Sequence, residues 1–343
     1  MDKKKIMLTA SKKIGVLLIN LGTPDQCDVP AVRRYLKEFL SDPRVIDIPA
    51  PARWLLLHGL ILPFRPKKTM AAYQEVWTSA GSPLLSNTLA LKTALSERLG
   101  EAYTVAIGMR YGNPSIASAL DQLKTCTDLF ILPLFPQYSS AATGSALEKT
   151  LSLLSQQWNI PNITTLHDFY DHPGFIKAYA ARIKPYLDAQ KIERLIFSYH
   201  GLPVRHIDKS QCAAHCDKQA NCPAMNDDNR YCYRAQCYAT SNAIAHALGL
   251  SAEQYIVSFQ SRLGRTPWIK PYTDELLLAL SQKNIRHVAI VSPSFVADCL
   301  ETLEEIAIRG KQQWEGLGGE TFIAIPCLNE DSLWVDALVE MLP

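Results

Sequence analysis

Short apolar runs alternate with longer amphipathic stretches along nearly the whole of this 343-residue chain. A short apolar run closed by Gly, Pro or polar turn residues predicts a buried strand. In the first half such runs are residues 15–21, 104–109, 129–134 and 163–167. In the second half they are 194–199, 255–260, 288–292 and 321–325. Helical spacing between them predicts helices over 87–99, 115–123, 145–157, 175–189, 235–248, 274–281 and 298–313. A helical tail at 331–342 is placed to cross back onto the first half. Strand–helix alternation builds parallel sheets with right-handed crossovers. The reading is an α/β chain of two similar halves with four strands each, although no clear sequence repeat relates them.

Two stretches break this rhythm. Residues 49–73 are rich in Leu, Trp and Pro and end in basic residues. Residues 204–234 are polar and rich in cysteine.

Composition narrows the function. A hydrophobic fraction of 48% suits a globular protein with a substantial core. The formal net charge is only +2 and no basic stripe is interleaved with aromatics, so nucleic acid is not an expected partner. The basic start, Met1 to Lys5, is not followed by an apolar stretch long enough for a signal peptide or a membrane span. An intracellular, cytoplasmic protein with reduced thiols is expected.

Candidate chemistry gathers just past the expected strand ends, where open α/β sheets bind their ligands. His200 lies in Ser198-Tyr199-His200-Gly201-Leu202-Pro203, directly after the run 194–197. A histidine there can titrate near neutral pH, or can merely satisfy a turn. Two further segments follow strands in the same half. One runs from Ser258 to Trp268 and carries Gln260 and Ser261; the other runs from Pro293 to Glu305. Glu301 and Glu305 are four apart and share a helix face, and Asp298 with Glu301 also has the spacing of a capping box. Neither Gly22-Thr23-Pro24 nor Thr143-Gly144-Ser145 fits a phosphate-loop pattern, which argues against a nucleotide site. Glu301 and Glu305 on one helix face are also poorly placed for glycoside hydrolysis.

Taken in order, the three segments around His200, Gln260 and Glu301 closely resemble the ferrochelatases, which insert ferrous iron into a porphyrin. First-half segments agree: residues 20–24, Met109-Arg110-Tyr111-Gly112, and 136–145. The resemblance runs from about Ile14 to Leu342. It implies a class II chelatase-like fold of two Rossmann-like domains, 14–172 and 173–343, with the active cleft between them. The implied reaction turns protoporphyrin IX and ferrous iron into protoheme and two protons, in heme biosynthesis. Coproporphyrin III as substrate, or a non-catalytic porphyrin or heme carrier, are the alternatives. A neutral histidine supplies a base of suitable pKa, and carboxylates hold ferrous iron weakly enough to pass it on. By resemblance, His200 is the proton acceptor and an iron contact, Glu301 faces it across the macrocycle, and Asp298 and Glu305 line a route for iron or protons. Leu21, Trp268 and Phe295 match positions that pack on the macrocycle. Arg65 and Ser82 match positions near its carboxylates, where a guanidinium suits a propionate. Arg110 and Tyr111 match cleft positions, although a surface ion pair is the commoner fate of an arginine.

Five cysteines crowd into one segment with spacing C-x3-C-x5-C-x9-C-x4-C, from Cys212 to Cys237. Four thiolates suit zinc or a [2Fe–2S] cluster, and free thiols remain a third reading. The resemblance selects Cys212, Cys216, Cys222 and Cys232 as ligands of a [2Fe–2S] cluster, with structural zinc as the alternative. Cys27, Cys126, Cys299 and Cys327 read as small hydrophobes. Finally, Trp54 to Phe64 followed by Arg65, Lys67 and Lys68 reads in two ways. It is a buried helix with a solvated basic end, or a cleft lip at 51–68 resting on the inner face of the cytoplasmic membrane.

Overall fold

The computed structural model describes residues 13–210, 222, 224–262, 264 and 266–342. Eight strands form two four-stranded parallel sheets. The first contains β1 (Ile14–Thr23), β2 (Tyr103–Gly112), β3 (Asp128–Pro133) and β4 (Asn162–Thr165), in the order β2-β1-β3-β4. The second contains β5 (Arg194–His200), β6 (Tyr255–Gln260), β7 (His287–Val291) and β8 (Thr321–Ala324), in the order β6-β5-β7-β8. Both sheets therefore share one topology, with the first strand of each half innermost beside its second and third. Val16, Leu17, Leu18 and Ile19 are fully buried, as an unbroken apolar run in an inner parallel strand requires. At one edge of each sheet the strand, β4 or β8, is short, which limits the unpaired backbone offered there.

Twelve α-helices are described. They are α1 (Val29–Ser41), α2 (Ala50–Leu56), α3 (Leu62–Gln74), α4 (Pro83–Leu99), α5 (Ile116–Leu123) and α6 (Ser145–Leu154). The remainder are α7 (Pro173–Ala189), α8 (Val204–Asp208), α9 (Tyr233–Ala247), α10 (Thr273–Gln282), α11 (Lys311–Gly316) and α12 (Ser332–Glu340). Every strand read from sequence is present. Some features are not as expected. Helix α1 is additional: Asp28 caps it by accepting the Ala31 amide at 2.7 Å, and Pro30 falls in its first turn rather than breaking it. The helix expected at 298–313 is a π-helix over Glu301–Gly310 that passes into α11. The capping box suggested by Asp298 and Glu301 does not form, since Leu300 occupies the cap position without a side-chain bond.

One apolar cluster runs through both halves, joining Leu18, Leu91 and Leu132 to Phe175, Phe197 and Trp334. The tail helix does cross back. In α12, Trp334 is fully buried and stacks on Phe169, with centroids 5.5 Å apart. Asp336 of α12 pairs with Arg98 of α4.

Candidate active site

His200 is the last residue of β5, at the C-terminal edge of the second sheet. Its backbone is held on both sides: its amide donates to Ser294 Oγ at 3.1 Å, and its carbonyl accepts the Tyr233 hydroxyl at 2.8 Å. Its Nδ1 lies 2.7 Å from the Gly201 carbonyl. A carbonyl only accepts, so Nδ1 carries the proton in the neutral ring and Nε2 presents a lone pair. The half-buried rings of Phe295 and Trp268 lie 6.3 and 6.5 Å from the imidazole.

Glycine is required next in the chain. A β-carbon on Gly201 would stand 2.8 Å from the Gln260 carbonyl and 3.3 Å from the Trp268 ring. The Gly201 amide takes up that close approach, donating to the Gln260 carbonyl at 2.7 Å. Beyond it, Val204 donates to the Pro267 carbonyl and Ile269 to the Leu202 carbonyl, both at 3.0 Å. The turn bearing His200 and the loop bearing Trp268 are thus laced together by backbone bonds.

Glu301 opens the π-helix, and Gln260, the register partner of His200, donates to its carbonyl at 2.9 Å. The half-buried carboxylate of Glu301 accepts from the Cys299 thiol and lies near the buried Tyr35 and Tyr73. Burial first, then the charge of Glu301, pushes that thiol up, so Cys299 stays protonated. Glu305 is differently employed. Its two oxygens accept the amide (2.8 Å) and the hydroxyl of Ser261, whose backbone has a φ of 66°. This bond holds a non-glycine residue in the left-handed region where the Trp268 loop leaves β6. Asp298 is buried and saturated by hydrogen bonds. His200, Trp268, Phe295 and Glu301 therefore share one rim, whereas Asp298 is bonded to the loop after β8 and Glu305 to the loop after β6.

In the first half, Leu21 packs in a cluster with Leu57, Tyr73, Tyr111 and Leu300, the last being the neighbour of Glu301. Ser82 is buried and accepts the Thr23 hydroxyl at 2.8 Å, joining the end of β1 to the start of α4. Arg110 donates to Asp42 at 2.6 Å and to Ser145 Oγ at 2.7 Å. Tyr111 is fully buried and donates to Asp42 at 2.8 Å. Arg110 and Tyr111 are thereby committed to Asp42, a hub that sequence reasoning missed. Arg65 is half-buried, burial lowers its pKa, and none of the described carboxylates forms an ion pair with it. Tyr35 and Tyr73 were missed as well. The only local signal was their place on the buried helix faces of α1 and α3.

The ferrochelatase family model matches residues 13–343. The chain belongs to the ferrochelatase family. Family membership makes it a porphyrin metal chelatase. Among relatives, the ferrochelatase of Legionella pneumophila (strain Corby) is 55% identical over 324 residues, covering 94% of this chain and 97% of the relative. That of Coxiella burnetii (strain CbuK_Q154) is 49% identical over 341 residues, covering 98% of this chain and 95% of the relative. The fold resembles SirB from Bacillus subtilis solved with Fe3+, at a TM-score of 0.54 and 11% identity, covering 96% of this chain and 93% of that one.

Two other features of this ferrochelatase-family chain bear on its surroundings. Cys222 is half-buried and Cys232 buried, and both lie close enough to the buried Cys237 that thiolate charge on either pushes its thiol up, behind the larger effect of burial. Cys212 and Cys216 lie outside the described residues. No group of three or more His, Cys, Asp or Glu side chains among the described residues is arranged to hold a metal. The lip has a buried side and an exposed one. Leu57 and Leu62 are buried, while Trp54, Leu55, Leu60 and Phe64 are 62%, 65%, 63% and 73% exposed. No helix among the described residues is long and apolar enough to cross a membrane.

Proposed function

We propose that this chain inserts ferrous iron into protoporphyrin IX, giving protoheme and two protons, with His200 as the base. One observation carries the assignment. The Nδ1 proton of His200 is tied to the Gly201 carbonyl, which leaves Nε2 as a lone pair between two half-buried aromatic rings. Replacing two pyrrole protons by Fe2+ keeps the macrocycle neutral, so the protons must leave as the metal enters. Nε2 accepts them in turn. Glu301, across the slot, offers a carboxylate that holds the substrate iron weakly and balances the charge as the protons depart. Trp268, Phe295 and Leu21 form the apolar walls. Arg65, without a carboxylate partner among the described residues, receives a propionate. Residues 14–172 and 173–343 act as the two domains; Leu84 meeting Phe295, Ala297 and Cys299 supports a slot at their join.

The four exposed apolar side chains of the lip, with Arg65, Lys67 and Lys68 beside them, suit a peripheral contact with an anionic membrane surface. Cys212, Cys216, Cys222 and Cys232 would hold a [2Fe–2S] cluster, or zinc in its place. Thiolates are the soft donors that such a group takes. A cluster there would supply one-electron chemistry, to which the insertion step makes no recourse.

Anaerobic mixing with ferrous iron and either protoporphyrin IX or coproporphyrin III tests the reading. Protoporphyrin bands should convert to heme bands, and faster than coproporphyrin bands do. Tight binding without conversion would mark a carrier instead. A thiolate–iron absorption band before mixing would identify the cluster, and a colourless protein containing zinc would identify the alternative.

A further inference from the structure

Asp298 stands three residues before Glu301, where resemblance sets it on a route for iron or protons. Its bonding fits a different task. Oδ1 accepts the Thr302 hydroxyl at 2.9 Å and the Cys327 amide at 3.2 Å, and Oδ2 accepts the Asn329 side-chain amide at 2.9 Å. Asn329 returns the bond, its Oδ1 accepting the Asp298 backbone amide at 2.8 Å. Asn329 adopts a φ of 51° and its own amide donates to the Val296 carbonyl at 2.7 Å. Thr302 closes the ring by accepting the Cys299 amide at 3.0 Å. Residues 296–302 are thus clasped to residues 327–329, beyond β8. Glu301 lies inside the clasped segment, and its carbonyl is held from the other side by Gln260.

We propose that Asp298 is a positioning residue that fixes Glu301 through its reciprocal pair with Asn329, and that it does not lie on the path of the iron. A carboxylate oxygen that turned to a metal would leave buried donors of Asn329, Cys327 or Thr302 without acceptors. The pair also sits where regular helix bonding cannot help, since the π-helix begins only at Glu301 and Leu300 contributes no side-chain cap. The proposal rests on Glu301 acting on the substrate, and the test separates the two.

Four variants decide it: Glu301→Gln, Asp298→Asn, Asn329→Ala and the exchange Asp298→Asn with Asn329→Asp. The exchange preserves the clasp. The new amide at 298 donates to the new carboxylate at 329, which still accepts the backbone amide of residue 298. The amide oxygen at 298 takes the Thr302 and Cys327 donors. Asp298→Asn and Asn329→Ala should each lower kcat by about 10–100-fold, with the KM for iron unchanged and porphyrin still bound. The exchange should recover most of kcat with the parent pH profile. A folded exchange variant as slow as Asp298→Asn, with a raised iron KM or a shifted pH profile, would show that the carboxylate at 298 itself takes part. Should the exchange fail to fold, Asn329→Ala decides, because it breaks the pair while leaving both acids in the chain: full turnover there overturns the proposal. Unchanged insertion in Glu301→Gln would remove Glu301 from the chemistry, a separate failure.

Discussion

The two sheets have the same strand order, yet the rims at their C-terminal ends are unlike. In the first half several polar side chains pair among themselves. Asn20 donates to Thr88, Thr23 to Ser82, and Arg110, Tyr111 and Ser145 all converge on Asp42. In the second half His200 Nδ1 is bonded to the Gly201 carbonyl and its Nε2 has no such bond among the described residues, while the carboxylate of Glu301 meets a thiol and lies near buried phenols. On the function proposed above, the first rim is a wall and the second a workplace.

That contrast is open to attack, most severely at His200. His200→Ala should lower kcat by about 10²–10⁴-fold while porphyrin still binds and shifts its absorption. Turnover near the parent rate would remove the asymmetry altogether. The converse change is Asp42→Ala in the first rim. It strands the mostly buried Arg110 guanidinium and two hydroxyls, and should cost about 3–5 kcal/mol in urea unfolding. The protein that remains folded should turn over normally. A loss of kcat without a loss of stability would mean that the first rim is chemical too.

The smallest effect is expected where the halves are fastened together. Asp47, between α1 and α2, pairs with Arg205 at 2.5 Å and Lys209 at 2.8 Å, with His206 at 3.3 Å. Burial opposes ionisation, but hydrogen bonds from Lys209 and Arg205 and the charge of His206 hold its carboxyl at about 2, against an ordinary value of 3.8. A carboxyl with a depressed folded-state pKa stabilises above its unfolded value, and the contribution is lost as pH falls through the folded one. Urea midpoints of the parent and Asp47→Asn should therefore differ above about pH 4 and converge toward pH 2. Parallel midpoints across that range would show that the fastening carries no load.

Much of this was legible in the sequence because strand signals are local. The apolar runs marked all eight strands, with ends displaced by at most three residues, and Gly201 after the run predicted that His200 would stand at a sheet edge. What escaped depends on partners far apart in the chain. Asp298 and Asn329 are separated by 31 positions, and Asp42 and Arg110 by 68. No residue pattern announces such pairs. The π-helix escaped for another reason: its i→i+5 bonds use the same residue types as an α-helix, so periodicity alone reads it as one. Helix α1 was legible and overlooked, since Pro30 three residues before the run of Arg33-Arg34-Tyr35-Leu36 is a start signal rather than a break.

The bond from His200 Nδ1 to the Gly201 carbonyl has a consequence for turnover. An imidazole with both nitrogens free can relay a proton, taking it in on one side and releasing it on the other. Here one side is bonded to backbone. The ring has a single port, through which every proton must both arrive and depart. On the base role proposed for His200, the second pyrrole proton waits until the first has left by that port. The pace at which water or product movement empties the port thus becomes a candidate clock for the whole cycle.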